Sequence, residues 1–373
     1  MKCKLLAATM FAAVTLLVGC TTQNNNIFIP ARLGSKWGYI DTTGNWVIAP
    51  NFDDVANFAK NGLARATFKW KYGYIDKIGN WIIDTQFDYA DDFAENGLAR
   101  AKLNGKWGYI DKTGKWIIDP QFDVALNFSE NDLAPVDLNG KRGYIDKTGN
   151  WVINPQFDVA LKFAENGLAP VELNGKWGYI DETGNWVINS QFDEVYYFAE
   201  NSLARVKLNG KWGYIDTTGN WVINPQFDDV WPFAENGLAR VEFNGKWGYI
   251  DIIGKWAINP QFDVAYDFAK NGLALVILNR KYGYIDKTGN RIINPQFDDA
   301  NDFAENGLAV VKLYGQWGCI DETGNLVVNP QYDDVKIYEN TIFFEQNGKW
   351  GIIDRNGNIV ANPQFDWVGD RYF

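Results

Sequence analysis

Between Leu98 and Asp123 the chain reads LARAKLNGKWGYIDKTGKWIIDPQFD, three short runs of alternating apolar and polar residues separated by two turn signals. Asn104-Gly105 is the first signal, because a type I′ hairpin turn needs positive φ at both central residues. Asp111-Lys112-Thr113-Gly114 is the second: an aspartate that bonds the backbone ahead of it, then a glycine in the left-handed position of a bulge. The pattern predicts a three-stranded antiparallel meander. A two-residue first loop sets Lys102 opposite Trp107 and Arg100 opposite Tyr109. A three-residue second loop sets Ile110 opposite Trp116 and Tyr109 opposite Ile117. Alternation then gives one face Ala99, Ala101, Leu103, Ile110, Trp116 and Ile118, and the other Arg100, Lys102, Trp107, Tyr109 and Ile117. In the following stretch, Gln121–Ala134, Phe122, Ala125 and Phe128 are spaced by three. That spacing predicts a turn or a short 3₁₀ or α segment serving as a connector.

The same pattern recurs down the chain. Trp37, Tyr72, Trp107, Arg142, Trp177, Trp212, Trp247, Tyr282 and Trp317 follow one another at 35-residue intervals, Trp350 comes 33 later, and each is followed by glycine. A fixed period of this size marks a repeat array. The pattern GKWGYID-x-TG-x-WVI-x-P-QFD resembles the WG (KWG) β-repeat family over about Ile29 to Phe373. The resemblance implies a repetitive, often cell-envelope, binding protein and assigns no reaction. Arg142 departs from the pattern at the first tryptophan position, Arg291, Leu326 and Ile359 at the second, and Cys319 at the tyrosine.

The expected fold is all-β: ten units of about 35 residues, each a three-stranded meander, in an open superhelical solenoid-like array. The alternative is a β-propeller-like closed ring. Two features favour the open form. Propellers typically have four to eight blades of four strands, and this chain, which starts on a first strand and ends after a connector, shows no blade divided between its ends. Each unit would then be covered only by its neighbours. The glycine after each tryptophan marks close approach of another group, expected to be the indole of the second tryptophan position.

Residues 1–19 read as a lipoprotein signal peptide. Lys2 and Lys4 precede a 14-residue apolar run too short to span a bilayer, which ends in Leu17-Val18-Gly19-Cys20. This ending resembles a lipobox, which implies lipidation of Cys20. Thr21 stands where the retention signal would place Asp, which implies the outer membrane. Residues 20–28 form the lipidated tether and 29–373 the repeat array.

The formal charge is −11 for the whole chain and falls to about −13 without the two signal-segment lysines, which argues against nucleic acid and anionic membrane surfaces as partners. The sequence has no histidine, and Cys319 is the only cysteine beyond Cys20, so no internal disulfide is available to the array. The aspartates recur in register, as turn formers would, whereas an active site is built once. In Asp-Lys-Thr-Gly-Asn the glycine comes too early for a calcium loop. No catalytic, metal or cofactor site is expected, and the protein is read as a non-enzyme.

The remaining constellation is an aromatic ladder: Trp37, Tyr39, Trp107, Tyr109, Trp177, Tyr179, Trp212, Tyr214, Trp247 and Tyr249. These rings are candidates either for ligand contact or for packing between repeats. The functional expectation is a scaffold, lipid-anchored in the cell envelope, that binds a protein or other macromolecule. The alternatives are a glycan- or peptidoglycan-binding module and a passive spacer.

Overall fold

A computed structural model describes residues 27–338 and 340–369. The signal segment, Cys20 and all of the tether except Ile27 and Phe28 lie outside the described residues. Phe28 packs its ring on Phe58, 4.9 Å between centres.

The described chain forms ten four-stranded antiparallel sheets. The predicted meander supplies three strands of each, such as Ala99–Leu103, Lys106–Ile110 and Trp116–Phe122. The fourth is a short edge strand built from the start of the connector, and the connector contributes it to the next sheet. Val124–Ala125, for example, pairs with Ala134–Leu138. No helix occurs among the described residues, so the three-residue spacing of Phe122, Ala125 and Phe128 reflects this crossing between sheets.

The same hand-over closes the molecule. The last edge strand, Trp367–Val368, pairs with the first meander strand, Ile29–Leu33. Around this joint the Asp366 and Gly369 N–H groups donate to the Arg32 and Pro30 carbonyls, both at 2.9 Å. Asp366 Oδ2 accepts from the Gly34 N–H at 2.7 Å, and Trp46 lies edge-on to Phe365. The architecture is therefore a closed ring of ten blades, a β-propeller, and the expected open solenoid is incorrect. One blade is indeed divided between the chain ends. The division is hidden in sequence because its C-terminal share is only two residues long.

The register follows the turns. Asn104 and Gly105 have φ of 52° and 81°, and Lys102 pairs with Trp107, Arg100 with Tyr109 and Ile110 with Trp116. Tyr109, however, pairs with Ile118 instead of Ile117, and Trp107 with Phe122, because the third strand is bulged twice. Ile118 thus joins the tyrosine face, and Ile117 is left exposed. The bulge also explains the recurrent glycine. A Cβ on Gly178 would sit 2.4 Å from the Ile188 carbonyl oxygen, so the strand's own backbone, and not an indole, requires glycine there.

Each blade buries both faces. Tyr109, Ile118 and Phe122 of one blade meet Ala134, Val136 and Ile145 of the next, with Ala125 and Phe128 of the connector between them. Ala99, Ala101 and Ile110 meet Tyr74, Ile83 and Phe87 of the preceding blade. The core is a series of such interfaces, as expected of stacked repeats.

Candidate functional site

The ladder residues divide into two groups. Tyr39, Tyr109, Tyr179, Tyr214 and Tyr249 are fully buried. Each hydroxyl donates to a connector carbonyl 17 residues on, for instance Tyr109 to Leu126 at 2.6 Å and Tyr179 to Tyr196 at 2.7 Å. Each ring also packs on a connector phenylalanine, as Tyr109 does on Phe128 at 4.7 Å. Burial pushes the phenols of Tyr109, Tyr179, Tyr214 and Tyr249 far above their ordinary range. These tyrosines hold the connectors down and have no surface for a ligand.

Trp107, Trp177 and Trp247 are half-buried, while Trp37 and Trp212 are buried. Cations cover several of them: the Arg100 guanidinium carbon is 4.8 Å from the Trp107 ring centre, and Lys207 Nζ is 5.5 Å from that of Trp212.

The repeated carboxylates are equally committed. Asp111 Oδ1 accepts from the Thr113 hydroxyl and from the Thr113 and Lys115 N–H groups, and the Thr113 hydroxyl bond leads in holding it below the usual range. Asp158 ties Lys141 of its own blade, at 2.5 Å, to the Asn174 N–H in the hairpin turn of the next, at 2.7 Å. At the ring joint Asp366 does the same with Lys349 and Gly34. Cys319 is buried where other blades carry tyrosine, and burial pushes its thiol up to about 12, so it supplies no nucleophile.

Exposed rings occur where the repeat is broken, at Trp70 and Tyr314 in hairpin turns and, as a connected group, in and just after the edge strands. Tyr196 and Trp231, one on each of two successive blades, are 44% and 40% exposed. Arginines interleave with these rings. The Arg205 guanidinium carbon lies 3.9 Å from the Tyr196 ring centre and 5.6 Å from that of Trp231. Arg240 lies 3.9 Å from Trp231 and 5.6 Å from Tyr266 on the blade after. Both are pinned by donation across the blade interface, Arg205 to the Val230 carbonyl at 2.8 Å and Arg240 to that of Ala265 at 2.6 Å. The result is a row, Tyr196–Arg205–Trp231–Arg240–Tyr266, crossing three blades.

Tyr197, beside Tyr196, opens onto a recess of about 1080 Å³ lined by connectors of four blades, including Phe163, Phe198 and Phe233. Its hydroxyl accepts from the Lys162 N–H at 3.0 Å. Near the other end of the row, Asp267 pairs with Arg240 at 3.0 Å. Desolvation, then the neighbouring Asp267 carboxylate, push the Asp302 carboxyl up to about 6, against the pull of Arg240.

The ladder expectation did not reach this row, because it followed the residues that repeat. The available signal was the opposite one: EVYYF and DVWPF stand where other connectors read VALNF or VALKF.

Among solved structures, one described as the eukaryotic initiation factor superposes with a TM-score of 0.55 at 8% identity, covering 81% of this chain and 95% of that one. It supports the fold alone. Kluyveromyces lactis Hsv2p matches at 11% identity over 73% and 97% of the two chains, TM-score 0.36. The extracellular domain of a putative one component system from B. thetaiotaomicron matches at 11% over 92% and 59%, TM-score 0.28. Neither of these two carries an argument. The comparison with curated proteins returned no match. The WG containing repeat model matches residues 37–68, 72–107, 107–141, 143–177, 177–212, 212–247, 247–282, 282–317, 317–350 and 350–370, and the chain belongs to that family.

Proposed function

We propose that this WG-repeat propeller is a non-enzymatic binding scaffold of the cell envelope, held at the membrane through lipid on Cys20, and that it binds a glycan along the row from Tyr196 to Tyr266. The observation that carries this reading is the row itself. Most aromatic rings elsewhere in the repeat are spent on packing, and Trp70 and Tyr314 stand exposed in hairpin turns, whereas Tyr196 and Trp231 present large exposed rings held in place by stacked guanidinium groups. Such rings offer flat apolar area with little ordering left to do on binding. The non-enzymatic part is supported by the commitment of the recurring aspartates to turns and blade clamps, and by the burial of Cys319.

The test is binding of the purified protein to a glycan array, with Trp231→Ala as the paired sample. Binding to a defined set of glycans that Trp231→Ala reduces at least tenfold is expected. Absence of binding, together with no specific partner in a pull-down from envelope extract, would favour a passive spacer. A protein partner captured through the same row would replace the glycan.

A further inference from the structure

The repeat itself indicates which ligand group belongs beside Arg205. Arg65, Arg100, Arg205 and Arg240 occupy the same position in the first meander strand of their blades. All but Arg205 are paired with a carboxylate, Arg100 with Asp91 on the preceding edge segment. Twenty-seven residues after Arg65 stands Asp92, whose Oδ1 is 3.7 Å from Arg65 Nε. Twenty-seven residues after Arg240 stands Asp267, whose Oδ1 is 3.0 Å from Arg240 Nε. The equivalent residue for Arg205 is Pro232, which is exposed. Arg205 has no carboxylate within ion-pair distance among the described residues, yet its guanidinium is fixed by the Val230 carbonyl and stacked between Tyr196 and Trp231.

We propose that the carboxylate missing at Pro232 is supplied by the ligand, so that the row binds a saccharide carrying a carboxylate, such as a uronic acid unit within an oligosaccharide. This rests on the glycan reading above and adds the charge of the ligand to it. A guanidinium with unspent donors pairs strongly with a carboxylate, and the rings on either side of it accept the apolar face of the sugar. Asp229 and Asp267 lie within electrostatic reach of Arg205, and Asp302 lies beside Asp267 at the far end of the row. They oppose a continuous polyanion such as an acidic peptide and tolerate a single carboxylate placed at Arg205.

The experiment is calorimetry on the full chain in detergent. The probe is a trisaccharide with a single glucuronate between two N-acetylglucosamine units, compared with its carboxyl-reduced form and with a poly-glutamate peptide. Binding at least tenfold tighter for the carboxylated form is expected. Pro232→Asp, which installs the carboxylate that two other blades already hold, should remove that preference while leaving the melting temperature unchanged. Arg205→Gln should remove it as well. Equal affinity for the two sugars, with sensitivity to Trp231→Ala retained, would overturn this inference and leave the glycan reading standing. No binding of either sugar would overturn both. Preference for poly-glutamate, or a preference for the carboxylated sugar that survives Pro232→Asp, would also overturn it.

Discussion

Two arcs of the ring differ in how their blades are joined. Over most of the circle, the second tryptophan of each blade stands edge-on to the phenylalanine that ends the preceding blade. The pairs are Phe52–Trp81, Phe87–Trp116, Phe122–Trp151, Phe157–Trp186, Phe192–Trp221 and Phe227–Trp256, with ring centres 5.5 to 6.0 Å apart. In the C-terminal arc, Arg291, Leu326 and Ile359 replace the tryptophan at three successive interfaces. The joint between the chain ends belongs with the first arc, because Trp46 meets Phe365 at 5.7 Å. The closing joint is therefore built like an internal one, and the joints without an indole lie just before it. In a ring this placement matters, since every interface must hold for the circle to stay shut.

The largest effect that separates the arcs is truncation of the shared phenylalanine. Phe192→Ala should lower stability by about 4 kcal/mol. Phe297→Ala, whose ring meets no indole among the described residues, should cost about 1 kcal/mol less. Equal losses in denaturant titrations would show that the indole adds nothing to the joint.

Gly178→Val addresses what the arcs share. The bulged strand lies over this glycine in both, with carbonyl oxygens 2.4 Å from the built Cβ at Gly178 and at Gly318. Valine at either position should cost about 3 kcal/mol, read as matched falls in melting temperature. A fall at one position only would mean that the bulge is not common to the two arcs.

Leu326→Trp should raise stability by about 1 kcal/mol by restoring the edge-on pair with Phe297. A neutral or destabilising result would place the difference between the arcs elsewhere than in the tryptophan.

The smallest effect concerns pH. The Asp302 carboxyl titrates near 6 in the folded chain against an ordinary 3.8. The folded state therefore binds this proton more tightly, and stability falls as pH rises from about 4 through 6. Asp302→Asn should raise the melting temperature slightly at pH 7.5 and leave it unchanged at pH 3.5. The size is tenths of a kcal/mol, because the side chain reaches water.

Much of the blade was legible because turn chemistry and period-two alternation are local. Asn104-Gly105 alone fixed the pairing of Lys102 with Trp107. Ile118 was placed on the wrong face because a bulge shifts register without changing composition. Closure was missed for a related reason. Val124–Ala125 and Trp367–Val368 are too short to show alternation, and each belongs to the blade after the one that precedes it in sequence. The tyrosines of the ladder are interior, and the exposed rings of the row lie at connector positions that vary from blade to blade, beside arginines that recur in four blades. Periodicity reports what every blade needs in order to stack, whereas a binding surface on a few blades appears as its interruption.

Closure is tested most directly by a disulfide across the joint. Ala31 and Val368 are paired, and both are buried. Their neighbours Pro30 and Gly369 share a backbone hydrogen bond, so Ala31 and Val368 form the closer, non-hydrogen-bonded pair. In a soluble form starting at Thr21, with Cys319→Ser, the double variant Ala31→Cys, Val368→Cys should oxidise to an intramolecular disulfide at low protein concentration. The product should be monomeric, migrate faster on a non-reducing gel and melt no lower than the reduced protein. An open array would hold these residues at opposite ends, and free thiols or intermolecular dimers alone would contradict the ring.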